Sequence, residues 1–217
     1  MVYFEVLTIF GHRSLPVPNT YLRLKETSQR LAIVFPGRGY TSQAPLLYYT
    51  INTLLEKGLN VLSVDYSYSE NREYQELGQD EKLKWLYDDV NAAYQTALNE
   101  LDVSLEVFVG KSLGTLAIGH LLERYPDARK AKIVWHTPLI QMPSLEKQIQ
   151  EYKPKSLFVI GSADPHYSHE ILSKLIRATG GEALVVNGAD HSMEVSGSVK
   201  ESLQVIGDII NCVERFV

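Results

Sequence analysis

Three short segments carry the residue types of acyl-transfer chemistry: Gly110-Lys111-Ser112-Leu113-Gly114, Gly161-Ser162-Ala163-Asp164-Pro165 and Gly188-Ala189-Asp190-His191-Ser192. A serine hydroxyl at its ordinary pKa is a poor nucleophile. It needs an imidazole within hydrogen-bond reach to take its proton and a carboxylate to orient that imidazole. Ser112 has the surroundings such a nucleophile requires. The apolar run Leu105 to Val109 delivers it as a strand, and Leu113, Leu116, Ala117, His120 and Leu121 leave it with helical spacing. A serine on a sharp strand-to-helix turn has a strained backbone, and glycines two residues to either side leave room for the neighbouring strand and helix. The first N–H of that helix, from Leu113, falls where a developing oxyanion would sit. Two aspartates compete as the partner of His191. Asp164 follows the apolar run Leu157 to Ile160, whereas Asp190 adjoins His191, and neighbours in sequence rarely make that hydrogen bond.

Positioning these groups requires their strands to end at one edge. Short continuous apolar runs, Arg30 to Phe35, Asn60 to Val64, Leu105 to Val109, Lys132 to Trp135, Ser156 to Ile160 and Ala183 to Val186, alternate with helical segments. Those segments are Pro45 to Lys57, Glu81 to Leu101, Leu113 to Arg124, His169 to Thr179 and Ser196 to Val217. Strands apolar on both faces between helices predict a mostly parallel, doubly wound α/β sheet with helices on both faces. Ligands of such a sheet bind at the carboxyl ends of the strands. Met1 to Phe10 reads as a first strand, and Thr20 to Leu24 alternates, so an antiparallel N-terminal pair precedes the parallel part. The polar stretch Tyr66 to Asp80 is long enough to fold over the site. His136 to Pro154 holds one short helical pattern, Ser144 to Tyr152, and little room for a cap.

The 217 residues, 45% hydrophobic, fit one domain with a sizeable core, 1–217. A net charge of −5 without any Lys/Arg run argues against a nucleic-acid partner. No apolar run reaches membrane-spanning length, so no membrane partner is expected. The single cysteine, Cys212, sits in an apolar helical pattern and reads as buried packing in a reducing, cytoplasmic compartment. Oligomeric state is open.

With serine, acid and histidine in that order, the chain resembles a small, cap-poor α/β-hydrolase of the dienelactone-hydrolase-like and short esterase-like kind, over about residues 30 to 217. The resemblance implies the α/β-hydrolase fold, a Ser112, His191 and Asp164 triad, and an acyl-enzyme formed from a small-molecule acyl substrate. It implies no cofactor. Dienelactone hydrolases proper use cysteine as nucleophile, and Lys111 replaces the histidine that often precedes it. A fourth motif, Val34-Phe35-Pro36-Gly37-Arg38-Gly39-Tyr40, corresponds to the family's His-Gly-x loop with Pro36 where histidine is common. The second oxyanion donor is therefore expected from Arg38 N–H first and Gly39 N–H second. The other reading of the whole chain is a non-catalytic binding or scaffold protein with a silent triad. Its usual mark is a missing member, and none is missing.

Tyr40, Lys111 and His136 are candidate substrate contacts. Lys111 either extends beside the site or, the favoured alternative, pairs with a carboxylate. Tyr48 and Tyr49 would extend an aromatic wall from Tyr40 or else lie in the core. The Arg38 side chain is expected to face solvent. Asp164, His166 and His169 are spaced too loosely for a metal site, so none is assigned. His120 has the spacing of a packed helix residue.

Overall fold

The computed structural model describes residues 1–25, 28–66 and 68–217. Its strands are β1 (Val2–Glu5), β2 (Asn19–Leu24), β3 (Arg30–Phe35), β4 (Asn60–Val64), β5 (Ser104–Lys111), β6 (Lys132–His136), β7 (Ser156–Gly161) and β8 (Glu182–Val186). All join one sheet in the order β1-β2-β4-β3-β5-β6-β7-β8. β2 pairs antiparallel with both β1 and β4, and every pairing without β2 is parallel. The expected N-terminal pair is present, although its first strand stops at Glu5. Beyond it Phe10 makes only an isolated bridge to Pro16.

The helices are α1 (Pro45–Glu56), α2 (Arg72–Glu76), α3 (Gln79–Glu100), α4 (Leu113–Arg124), α5 (Pro143–Tyr152), α6 (His169–Thr179) and α7 (Val199–Phe216). The two-residue period of the strands sorts the core into two layers. Ala32, Val34, Val107, Val109, Val134 and Val159 face α1 and α7, while Ile33, Phe35, Phe108, Trp135 and Phe158 face α3, α4, α5 and α6. Every one of these side chains is fully buried or nearly so, and each valine, isoleucine and phenylalanine among them contributes roughly 1.5–3 kcal/mol relative to exposure. The edge strand β8 departs from the expectation of two apolar faces. Leu184 and Val186 pack toward the core, whereas Ala183 and Val185 are exposed.

The stretch Tyr66 to Asp80 is built differently from the polar flap the sequence implies; its Ser67 lies outside the described residues. Tyr66, Tyr68 and Tyr74 stack with ring centroids 4.6 and 4.3 Å apart and are buried in the core beside Trp85. The Tyr68 hydroxyl donates to Asp89 Oδ2 of α3 at 2.6 Å, and the short helix α2, which the sequence did not announce, carries Tyr74. Three stacked aromatic anchors hold this stretch to the body of the sheet. Cys212 also differs from expectation. It is half-buried at the margin of the α7 layer, where Sγ accepts an N–H from Arg215 at 3.1 Å. No described helix is long and apolar enough to cross a membrane.

Candidate active site

β5 ends at Lys111, and the next residue, Ser112, has φ 50° and ψ −113° before α4 begins at Leu113. A non-glycine residue in that region costs of order 1–3 kcal/mol and persists only where its surroundings over-determine it. Here they do. Ser112 N–H donates to the His136 carbonyl at 3.0 Å, and its own carbonyl accepts from Thr115 N–H at 2.9 Å and Thr115 Oγ1 at 2.5 Å. A Cβ on Gly114 would overlap the Phe35 carbonyl, so only glycine lets α4 start this close to β3.

The loops after β7 and β8 deliver the other two groups. Gly161 closes β7 so tightly against Ala189 that a Cβ there would overlap the Ala189 carbonyl. Ser162 N–H and Ala163 N–H donate to the carbonyls of Val186 and Ala189 at 2.8 and 3.0 Å. This lacing places Asp164 Oδ2 2.7 Å from His191 Nδ1, while His191 Nε2 lies 2.9 Å from Ser112 Oγ. Burial would raise the Asp164 pKa, but the hydrogen bonds from His191 and from His166 N–H, together with the nearby imidazoles, hold it below the ordinary value. Asp164 is therefore an ionised acceptor, so Nδ1 of His191 donates to it and the Nε2 lone pair faces the Ser112 hydroxyl. In that arrangement the imidazole is set to withdraw the Ser112 proton. Asp190 is occupied elsewhere: its Oδ1 accepts from Ser192 N–H and Glu194 N–H at 2.8 and 3.0 Å, which shapes the turn.

These groups open on a cleft of about 490 Å³ lined by Gly37, Arg38, Tyr40, Leu113, Leu139 and His166 besides the hydrogen-bonded set. The Gly37–Tyr40 loop runs past the serine, since a Cβ on Gly37 would sit 3.5 Å from Ser112 Cβ. Leu113 is the first residue of α4, so its N–H has no intrahelical acceptor. Arg38 is exposed, as expected, and Tyr40 lines the cleft. A second hollow of about 390 Å³ shares Gly37 to Tyr40 and continues to Asp65, Tyr66, Ser69 and Glu70.

Three expectations are corrected. His136 does not line the cleft. It is wholly buried, with Nε2 3.2 Å from Thr50 Oγ1 of α1, and Nδ1 has no hydrogen-bond partner among the described residues. Sequence places β6 at the right edge but not the depth of its last side chain. Burial, with Lys111 nearby, pushes the His136 pKa down to about 3. A group neutral when folded but titrating near 6.5 when unfolded stabilises the fold fully above that value and loses the contribution as pH falls toward about 3. Urea titrations should accordingly show stability falling by about 1.4 kcal/mol per pH unit from this group below roughly pH 6. His136→Gln should flatten that slope. Second, Lys111 pairs with no carboxylate among the described residues. It is buried, and its Nζ donates to Thr137 Oγ1 and the His191 carbonyl. Third, Tyr48 and Tyr49 join neither a wall nor the core, being half-exposed and edge-to-face on each other along α1.

His166, set aside in the sequence as a loop residue, stands on the cleft wall with its ring 5.3 Å from that of His191. The signal for it was its position two residues past Asp164, within the turn that Asp164 Oδ1 closes by accepting His166 N–H at 2.8 Å. Donor atoms of Asp164, His166 and His191 lie within 4.8 Å of one another. The Asp164 carboxylate has no solvent exposure and both its oxygens accept hydrogen bonds within the cluster, which leaves a cation a poor set of donors. His169 is exposed at the start of α6, outside this cluster. His120 is packed as expected, stacked on Tyr87 at 4.0 Å.

No protein-family model and no curated protein sequence matches the chain. Solved structures do. Est1E from Butyrivibrio proteoclasticus, determined with ferulic acid bound, superposes with a TM-score of 0.74 at 13% identity, covering 97% of both chains. A dienelactone hydrolase from Anabaena variabilis gives 0.72 at 14% identity, with 99% of this chain and 96% of that one covered. A predicted CIB-like hydrolase from Thermoplasma acidophilum gives 0.68 at 19% identity over 99% and 100%. The strand order, the lone antiparallel strand within the sheet and near-complete superposition at such low identity agree on one architecture: this chain has the α/β-hydrolase fold.

Proposed function

We propose that the protein is a serine hydrolase that cleaves carboxylic esters, thioesters or related acyl bonds through an acyl-enzyme. The observation that carries this reading is the unbroken series from Ser112 Oγ through His191 to the ionised Asp164, at 2.9 and 2.7 Å. Ser112 Oγ attacks the acyl carbon as His191 Nε2 takes its proton. The carbonyl oxygen becomes an oxyanion beside the N–H groups of Leu113 and of Arg38, with Gly39 as the other donor of the same loop. His191 then returns the proton to the departing alcohol or thiol. A water molecule, deprotonated by the same nitrogen, releases the acid and restores Ser112. Tyr40, Leu113, Leu139 and His166 form the wall against which the acyl group lies. The carboxylic-ester class is supported by structural neighbours that are named as a dienelactone hydrolase and an esterase, and by one determined with ferulic acid bound. The reaction needs no cofactor, and the lone cysteine fits an enzyme of the cytoplasm.

The test is reaction with a fluorophosphonate, alongside a panel of acyl esters graded in chain length. Labelling of the wild-type protein at Ser112 supports the reading; a folded protein that neither labels nor hydrolyses any ester would make it a scaffold. Of the segment between β6 and β7, Leu139 reaches the cleft wall while α5 packs against α4, and the Tyr66 to Asp80 stretch is anchored by its buried tyrosines. Neither of these two segments, as described, is free to close over a long chain. Short acyl groups should accordingly be preferred, with no rise in rate on emulsified long-chain esters. A marked rise on such emulsions would overturn this part.

A further inference from the structure

We infer that Lys111 is a positioning residue whose ammonium fixes the His191 loop and the oxyanion loop against the end of β5. The inference rests on the hydrolase reading for its catalytic meaning and on geometry alone for the tether. Lys111 is the last residue of β5 and is 1% exposed, a rare place for a lysine. An ammonium has three N–H donors. Three acceptors surround this one: the His191 carbonyl at 2.9 Å, Thr137 Oγ1 at 3.1 Å and the face of the Tyr40 ring, 4.4 Å from Nζ to its centroid. Each comes from a different loop at the carboxyl edge of the sheet. His191 follows β8, Thr137 follows β6 with a left-handed φ of 42°, and Tyr40 follows β3. Tyr40 is itself fixed, because its hydroxyl accepts Leu46 N–H of α1 at 3.0 Å.

One charge therefore spans the loop that holds the general base, the strained turn after β6 and the loop that offers the second oxyanion donor. Its direct partners among the described residues are neutral. The groups that face it are Asp164 from the loop after β7, Asp190 and His191 from the loop after β8, His136 on β6 and Tyr40. Burial lowers the Lys111 pKa to about 8, against the pull of Asp164 and Asp190. On deprotonation the amine keeps two N–H donors and gains a lone pair, so the three acceptors can no longer all be served and one of them faces repulsion. The tether should slacken as pH rises through about 8.

Lys111→Met keeps the apolar stem and removes all three donors. Relative to wild type near neutral pH, hydrogen exchange of the Gly188–Val195 amides should rise roughly tenfold or more, as expected for the loss of charge-assisted hydrogen bonds, with the β5 and α4 amides unchanged. The rate of fluorophosphonate labelling at Ser112 should fall by a similar factor, mainly in kcat rather than KM for an ester. In wild type that rate should decline as pH passes about 8, a step absent from the variant. Wild-type exchange across Gly188–Val195 in a folded Lys111→Met protein would overturn the inference. Should the variant not fold, wild-type exchange of the same amides at neutral and alkaline pH, corrected for intrinsic rate, decides it: protection lost above about pH 8 supports the tether and unchanged protection refutes it. If wild type neither labels nor hydrolyses, the hydrolase reading fails while the exchange result still stands or falls by itself.

Discussion

Ser112→Ala should abolish fluorophosphonate labelling and reduce ester hydrolysis to a residue set by the oxyanion donors and binding alone, a loss on the order of 10⁶-fold in kcat by comparison with serine proteases of other folds. The size of the effect follows from the mechanism. Without Oγ, His191 has no proton to take and no covalent intermediate forms, so neither half-reaction proceeds by its normal route. The fold should survive. The Ser112 turn is held by backbone bonds to His136 and Thr115, none of which involves Oγ. Circular dichroism and a thermal melt close to wild type, combined with lost labelling, would identify Ser112 as the nucleophile. Labelling that persists in Ser112→Ala would exclude it.

Asp164→Asn should come next in magnitude. The carboxylate Oδ2 accepts the Nδ1 proton of His191 at 2.7 Å. An amide turned to present its NH₂ there favours the tautomer with the proton on Nε2, leaving no lone pair toward Ser112. The same change in a serine protease costs about 10⁴ in kcat. Asp190→Asn should cost roughly tenfold or less, because Asp190 caps two backbone N–H groups of its own turn and an asparagine oxygen can accept both. Steady-state kinetics on the two folded variants decide between the carboxylates. A reversed order of effects would transfer the role of acid to Asp190 and leave Ser112 and His191 in place.

The elements that carry the chemistry were legible because each is announced locally. An apolar run names its strand, glycines mark the turn that follows, and in a parallel sheet all such turns gather at one edge. Ser112, Asp164 and His191 are brought together for that reason. What the sequence left open is governed by partners distant along the chain. His136 ends an apolar strand at the same edge, yet Thr50 on α1 decides that its ring points inward, and no local pattern records that contact. That Lys111 bonds directly to no carboxylate among the described residues has the same origin, since its acceptors belong to loops after β3, β6 and β8. Tyr66, Tyr68 and Tyr74 read as part of a solvated loop because they lie among carboxylates; the stacking of the three rings and the edge-to-face contact of Tyr74 with Trp85 required the third dimension.

The three groups of the site come from β5, β7 and β8, and the last of these is laced to its neighbour through Ala189 before α7 packs back against α1. Chains emerge from the ribosome from the N-terminal end. Ser112 and α4 therefore leave the ribosome before β7 and β8, the strands whose following loops bear Asp164 and His191. A chain whose β8 has not yet joined the sheet edge lacks the loop that sets the His191 imidazole 2.9 Å from the Ser112 hydroxyl, so the arrangement the serine needs is completed only with the last strand.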